Sequence, residues 1–198
     1  MLEKLCEDFP AEPDHLLDLS EAYADFGVHR LTEPRKSAGD IERYLRNALA
    51  ASERLTAAHP NVPEYTFSYG PIRIKLGTFL RPDHRAAAEE QVRSAVGLQT
   101  ELVRRFPEVA RYRVWLAAYQ GSLAELHADA GQWPEAIRLL DAAAADLEKR
   151  LAQEAGRRFA RATLTQTYTH LARVREKAGL PDRATAARRR AETVRPTQ

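Results

Sequence analysis

The chain has 198 residues, of which 44% are hydrophobic and 29% charged, and its formal net charge is +2. This length predicts one compact domain or one short array of repeats, and the composition predicts a soluble protein. No apolar run approaches the ~18 residues of a membrane-spanning helix. The single cysteine, Cys6, excludes an intrachain disulfide and a cysteine-based zinc site. The charged stretch after Met1 is unlike a secretory signal peptide, so we expect a cytoplasmic location.

The first 58 residues predict one helical hairpin preceded by a short helical piece. Residues 1–9 resemble the end of a second helix whose own hairpin is missing. A helix is predicted over residues 13–27, and a polar, proline-containing loop over residues 28–39 follows it. The helix that completes this hairpin is predicted over residues 40–58.

The next segment carries a proline where a helix is expected. The apolar pattern predicts a helix over residues 62–80, but Pro71 removes a backbone hydrogen bond and clashes with the preceding turn, at ~3 kcal/mol or more. We therefore predict a kink or break over residues 65–71. It is either a bend that packing tolerates or a bend that shapes a groove. A further helix is predicted over residues 82–106.

The clearest hairpin occupies residues 111–148. In its first helix the large apolar residues recur in steps of four and three, which keeps them on one face of the helix. Gly131 can adopt the left-handed conformation that ends a helix, and Pro134 suits the first turn of the next one. The two predicted faces consist of Trp115, Tyr119, Leu123 and Leu126, and of Ala136, Leu140, Ala143 and Leu147.

The last predicted hairpin covers residues 157–194, and its final helix is rich in arginine. Arg183, Arg188, Arg189 and Arg190 occupy positions where a buried helix would carry apolar residues. We expect this helix to be a solvent-facing cap, which repeat arrays need at their ends. Residues 195–198 are expected to fray.

These hairpins repeat at a nearly constant spacing. A shift of 48 residues places Gly131 on Gly179, and a shift of 50 places Pro60 on Pro10. One hairpin cannot bury its apolar faces alone, so a period of this length indicates stacked helical repeats. The four units lie at about 10–58, 60–105, 107–153 and 157–194, within a single repeat domain over 1–198.

The pattern resembles the tetratricopeptide repeat (TPR), in which a large residue, Leu and a small residue precede a small–large–small series. The units depart from it at Arg73 and Gln120, which stand at the first large position. The period of about 47 residues, against the usual 34, resembles the long variant found in bacterial multidomain proteins. The matching positions are Tyr23, Phe26, Gly27, Ile41, Leu45 and Ala48; Leu76, Gly77, Ala88, Val92 and Ala95; Leu123, Ala124, Ala136, Leu140 and Ala143; and Tyr168, Leu171, Ala172, Ala184, Arg188 and Ala191.

This resemblance implies an all-α, right-handed solenoid of about four antiparallel helix hairpins without catalytic activity. It also implies that the first helices line a concave groove that binds a protein or peptide. An apolar or extended segment met by Arg173 at one end would suit the small, mostly uncharged groove positions. Those positions are Ala24, Val28, Ile74, Thr78, Gly121, Glu125, Thr169 and Arg173.

Charge is distributed unevenly along the sequence, and this supports two alternatives to the binding of a protein or peptide in the groove. The first 25 residues carry eight acids, whereas the residues from Lys149 onward carry thirteen Lys or Arg and four acids. The acidic end of one molecule could dock on the basic end of another, giving a head-to-tail homo-oligomer. Nucleic-acid binding through the arginines is the more remote alternative, because no aromatic platform interleaves with them.

Known catalytic and cofactor motifs are absent from the sequence. It contains no Gly-rich phosphate loop, no HExxH and no CxxC pair. His127 and His170 could approach each other on neighbouring first helices, but two imidazoles without a third ligand make a poor metal site. Partly buried packing is the alternative role for both. We therefore expect no enzyme activity, no cofactor and no metal.

Overall fold

The computed structural model describes residues 12–30, 38–153 and 158–195. Within these ranges the chain forms eight α-helices and no strand, which confirms the predicted all-α class. In chain order they are α1 (Pro13–Arg30), α2 (Ala38–Ala58), α3 (Pro63–Leu80), α4 (Arg85–Arg105), α5 (Ala110–Asp129), α6 (Trp133–Gln153), α7 (Arg158–Lys177) and α8 (Pro181–Val194). The predicted helical piece at residues 1–9 lies outside the described residues, as does most of the predicted loop at 28–39.

The helices pack as sequential antiparallel pairs, as the repeat pattern predicts. The chain divides into two compact units between Leu98 and Gln99, within α4. In the first unit α1 packs against α2, and α3 packs against both of them. In the second unit α5 pairs with α6 and α7 pairs with α8, while α7 also packs against α5 and α6. Each unit therefore has its own packed interior.

Small residues let the helices of the first unit approach closely. Ala24 of α1, Ala48 of α2 and Ile72 of α3 form one buried cluster. Leu16 and Leu19 of α1 form another with Leu55 of α2. These residues recur at helical spacing, so each helix buries one face and leaves the other to solvent.

The hairpin turns of the second unit are built in the same way. Gly131 and Gly179 have φ angles of +70° and +75°, which residues with a side chain rarely adopt. In the first turn the N–H of Gln132 donates to the carbonyl of His127, and in the second the N–H of Leu180 donates to that of Arg175, at 2.9 Å each. Each of these hydrogen bonds closes a turn of six residues and gives a donor to a carbonyl at the end of the helix. The turn predicted at Gly131 is confirmed.

Of the kink or break predicted over residues 65–71, the break is wrong. Helix α3 runs without interruption from Pro63 to Leu80, with Pro71 inside it. The lost hydrogen bond and the steric clash cost ~3 kcal/mol, but the neighbouring Ile72 is buried against α1 and α2. Full burial of one such side chain contributes about 1.5–3 kcal/mol. Packing along α3 therefore offsets a local preference that would otherwise end the helix.

Several helix ends also differ from the predicted ones. Helix α1 extends to Arg30, three residues beyond the predicted end at Gly27, and α4 begins at Arg85 instead of residue 82. Residues 81–83 form a turn after α3, because a proline at position 82 supplies no N–H to continue the preceding helix.

A polar bridge of the same composition joins neighbouring helix pairs in each unit. In the first unit the Tyr69 hydroxyl donates to Glu53 at 2.7 Å, and Arg73 lies 3.3 Å from the same carboxylate. In the second unit Tyr168 donates to Glu148, and Arg190 donates to the Tyr168 hydroxyl at 3.0 Å. Glu53 and Glu148 occupy equivalent repeat positions. The bridges therefore hold α3 against α2 and α7 against α6 in the same way.

Candidate functional site

Two first helices of the second unit, α5 and α7, lie side by side and form one surface, which we call the α5/α7 face. Steps of three, four and seven residues keep its members on one side of each helix. The stripe on α5 consists of Trp115, Ala118, Ser122 and Glu125, and the stripe on α7 of Phe159, Gln166, His170 and Arg173. Contacts near both ends of the two helices show that the stripes run in the same direction.

An aromatic pair forms the first end of the α5/α7 face. The rings of Trp115 and Phe159 lie 5.4 Å apart, tilted at 44°, within the usual range for attractive aromatic contacts. Phe159 is 50% exposed, and it is the exposed large apolar side chain among the residues that the structure describes. The Trp115 ring also lies 5.8 Å from that of Tyr119, which is 2% exposed, so the aromatic pair contacts the buried interior.

The middle of the α5/α7 face is a shallow cleft with small residues at its base. Its volume is about 80 Å³, room for a small side chain but not for a large ligand. Gly121 lies at the base, where an added Cβ would be 3.9 Å from Nδ1 of His170. The residues around the cleft are Ala117, Ala118, Gly121, Ser122, Glu125, Thr163, Gln166, Thr167 and His170.

A charged cluster forms the second end of the face. Oε1 of Glu125 lies 2.9 Å from Nη2 of Arg173 and 3.2 Å from Nε2 of His170. The side chain of Arg173 is 54% exposed, whereas that of Glu125 is 21% exposed. A ligand on this face would therefore meet the guanidinium before the carboxylate.

The predicted groove residues fall in several places. Gly121, Glu125 and Arg173 come together on the α5/α7 face. Thr169 lies with Arg173 along a cavity of about 530 Å³ between α7 and α8. Ala24 is 2% exposed and belongs to the core of the first unit.

Two further predicted residues line a separate cavity in the first unit. Ile74 and Thr78 lie along a hollow of about 580 Å³ between α2, α3 and the turn after α3. Leu45 and Phe79 contribute to its lining, together with polar residues such as Glu42. Val28 lies in α1, but its side chain is outside the described part of the structure.

Sequence reasoning missed the aromatic pair and the polar residues of the cleft. Trp115 belongs to the periodic apolar face, so we assigned it to the core. Phe159 falls outside the buried face of α7, which includes Ala160, Leu164 and Tyr168. That mismatch was the available signal, because an apolar residue off the buried face of an amphipathic helix is left at the surface.

The two histidines singled out from the sequence have different partners. His127 is buried, and its Nδ1 contacts the side chain of Gln132, whereas His170 contacts Glu125. Across the described ranges, no group of three or more His, Cys, Asp or Glu side chains could hold a metal ion.

The arginines predicted to face solvent on α8 are exposed, as expected. Several of the basic residues of α7 and α8 also pair with carboxylates. Arg175 binds both oxygens of Asp141, at 2.8 and 2.9 Å, and Arg188 pairs with Glu176. A phosphate backbone would have to compete with these carboxylates, which weakens the case for a nucleic-acid surface. The exposed arginines are Arg183, Arg188, Arg189 and Arg190.

The outer face of the last hairpin is polar where the face of the preceding hairpin is apolar. Leu140 and Leu147 of α6 are fully buried. The residues 48 positions later, Arg188 of α8 and Arg195 directly after it, are exposed. Another hairpin of the same kind would have to bury these charges, and that is unfavourable without partners. The exposure of these arginines matches the solvent-facing helix that the sequence predicts.

No described helix combines the length and the apolar character needed to cross a membrane. No family model matches the chain, and no curated protein matches its sequence.

Solved structures do match the fold. The crystal structure of MamA aligns with a TM-score of 0.55 at 17% identity, covering 98% of this chain and 84% of MamA. BtubC (BKLC) from P. vanneervenii aligns with the same TM-score and identity, covering 98% and 86%. A Podosopora anserina putative kinesin light chain with nearly identical TPR-like repeats aligns at 18% identity and a TM-score of 0.46, covering 98% and 92%. The first two likenesses show the fold: sequential antiparallel helix pairs in a TPR-like helical repeat.

Proposed function

We propose that this protein is a non-catalytic TPR-like scaffold that binds a protein or peptide partner on the α5/α7 face. The observation that carries the proposal is the half-exposed Phe159, in contact with Trp115 at one end of the α5/α7 face, whose other end is charged. Exposed aromatic residues in a rigid setting are typical anchors of protein interfaces. The spacing between equivalent turn glycines also supports the long-period TPR variant.

The free energy from these two contacts is too small for micromolar binding, so a partner must make further contacts. Covering the exposed half of one Phe side chain contributes roughly 1 kcal/mol, taken from about 1.5–3 kcal/mol for full burial. An exposed ion pair with Arg173 adds at most about 1 kcal/mol. Micromolar binding requires about 8 kcal/mol. The partner segment must therefore also contact the cleft between these two anchors.

The test is capture of a partner from the lysate of the source cell, with variants that fill the cleft. Gly121→Arg places a long side chain in a space of about 80 Å³. Gly121→Ala is the matched control, because its Cβ would meet His170 at an ordinary 3.9 Å. Gly97→Arg is the second control, since Gly97 is exposed and has open space around its Cβ position.

We expect the wild type and both controls to retain the same partner and Gly121→Arg to lose it. Circular dichroism should show that all four chains have the same helix content. A partner that Gly121→Arg retains at wild-type level would refute binding at this face.

Head-to-tail self-association is the second candidate, and one observation favours it. Asp14, Asp18, Glu21 and Asp25 are exposed and follow the spacing of a single face of α1. Such a surface would attract the exposed arginines of α8 in another molecule. This candidate predicts oligomers that dissociate as salt rises, because exposed charges are screened beyond ~8 Å at physiological ionic strength. Light scattering that shows a monomer at low and high salt would eliminate it.

A further inference from the structure

We propose that the partner segment is extended, with a large apolar side chain and a carboxylate five or six residues apart. The apolar side chain packs on the pair of Trp115 and Phe159, and the carboxylate pairs with Arg173. This inference rests on the proposed function, because it specifies which segment the α5/α7 face accepts.

The spacing follows from helix geometry. Trp115 and Glu125 are ten residues apart on α5, which is about 15 Å at 1.5 Å per residue. Phe159 and Arg173 are fourteen residues apart on α7, which is about 21 Å by the same rise. An extended chain advances about 3.3 Å per residue. Five or six residues therefore span the two ends of the face.

The negative charge of the partner segment follows from the charged side chains of α5 and α7. Two of the cations on these helices, Arg113 and Arg175, already pair with Asp146 and Asp141 of α6, whereas Arg173 is 54% exposed on the α5/α7 face. Glu125 lies beneath the more exposed Arg173 and also contacts His170. The Arg173 guanidinium has five N–H donors, so it can bind a second carboxylate while it keeps the bond from Nη2 to Glu125.

The extended conformation follows from the narrow middle of the face. Between the two anchors the base of the cleft is formed by small residues such as Ala118 and Gly121 around about 80 Å³. A cleft of this volume admits one small side chain, as an extended segment supplies from its alternate residues. Ser122 and Gln166 border the cleft, and their side chains can pair with the N–H and C=O groups that an extended segment leaves open.

The test is selection of twelve-residue peptides from a random displayed library on the purified full chain, with Gly121→Arg used for counter-selection. The expected result is enrichment of sequences that carry an aromatic or large aliphatic residue five or six positions from Asp or Glu. A fluorescein-labelled copy of the selected peptide then provides the binding assay. Arg173→Glu should weaken its binding about thirtyfold, because it replaces an attraction with a repulsion of similar size, together about 2 kcal/mol.

Two further variants complete the assay. Arg189→Glu is the matched control, because Arg189 is exposed on α8 and outside the α5/α7 face; it should change binding less than about twofold, as for a distant screened charge. A peptide with Lys in place of its carboxylate should prefer the Arg173→Glu chain over the wild type. That exchange of preference identifies the contact and not merely the overall charge.

The outcomes separate this proposal from the broader one. Peptides that need an intact cleft but show no preferred spacing or carboxylate would overturn the proposed segment and leave protein binding on this face standing. A selection that enriches no cleft-dependent peptide would refute both. Equal weakening by Arg173→Glu and Arg189→Glu would remove the carboxylate contact.

Discussion

Two glycines inside helices offer a sharp test of the packing in the first unit. An added Cβ at Gly77 in α3 would lie 2.8 Å from Cγ2 of Val92 and 3.1 Å from the backbone oxygen of Ala88, both in α4. An added Cβ at Gly97 in α4 would have no atom within 4 Å. Glycine to alanine at the two sites therefore makes the same chemical change in a tight and in an open environment.

The expected free energies have opposite signs. Within a helix alanine is favoured over glycine by about 0.8–1.0 kcal/mol, so Gly97→Ala should stabilise the protein by about that amount. At Gly77 the same gain is opposed by overpacking, which typically costs about 1–3 kcal/mol. The Ala88 oxygen belongs to the backbone and cannot rotate away as the Val92 side chain can. We therefore expect Gly77→Ala to lower the free energy of unfolding by up to about 2 kcal/mol.

Urea unfolding followed by circular dichroism measures this difference. The two variants should differ by about 1–3 kcal/mol at an unchanged slope with denaturant. For a chain of this length each kcal/mol corresponds to a shift of about 2–4 °C in Tm. If Gly77→Ala stabilises the protein as much as Gly97→Ala does, the close approach of α3 and α4 is wrong.

Three further predictions concern the second unit. Tyr168→Phe removes the hydroxyl that bridges α6, α7 and α8, and it should lower the free energy of unfolding by about 1 kcal/mol. Tyr119→Phe should be neutral or stabilising, because the buried hydroxyl of Tyr119 has no partner among the described residues. Urea titration of both variants measures the difference. Burial also raises the pKa of Tyr119 above its ordinary value of 10.0, so the folded chain holds this proton after the unfolded chain releases it, and stability should fall as the pH rises above about 10. Denaturation at several alkaline pH values should show a smaller fall for Tyr119→Phe than for the wild type. Joint replacement Arg188→Leu and Arg195→Leu places leucine at the positions that match Leu140 and Leu147 of α6, and it should produce concentration-dependent oligomers in light scattering. A chain that stays monomeric would contradict the inference that these arginines keep the end of the last hairpin exposed to solvent.

Much of the helical architecture follows from local patterns in the sequence. Helix faces repeat every three or four residues, and turn glycines recur at Gly131 and Gly179, because a left-handed backbone conformation excludes most other residues. These signals depend on neighbours along the chain, so the hairpins and the exposed arginines of α8 were predictable. The groove positions Gly121, Glu125 and Arg173 were identified by the TPR resemblance, and the structure brings them together on the α5/α7 face.

Only the tertiary structure decided the features that depend on distant residues. Helix α3 continues through Pro71 because burial of its neighbours offsets a local cost of ~3 kcal/mol. Phe159 meets Trp115 across 44 positions of sequence, and Arg175 meets Asp141 across 34. No local periodicity encodes these pairings, because they arise when two helices align along their lengths. The sequence by itself therefore determined the repeated helices and their turns, and packing determined which side chains form the α5/α7 face.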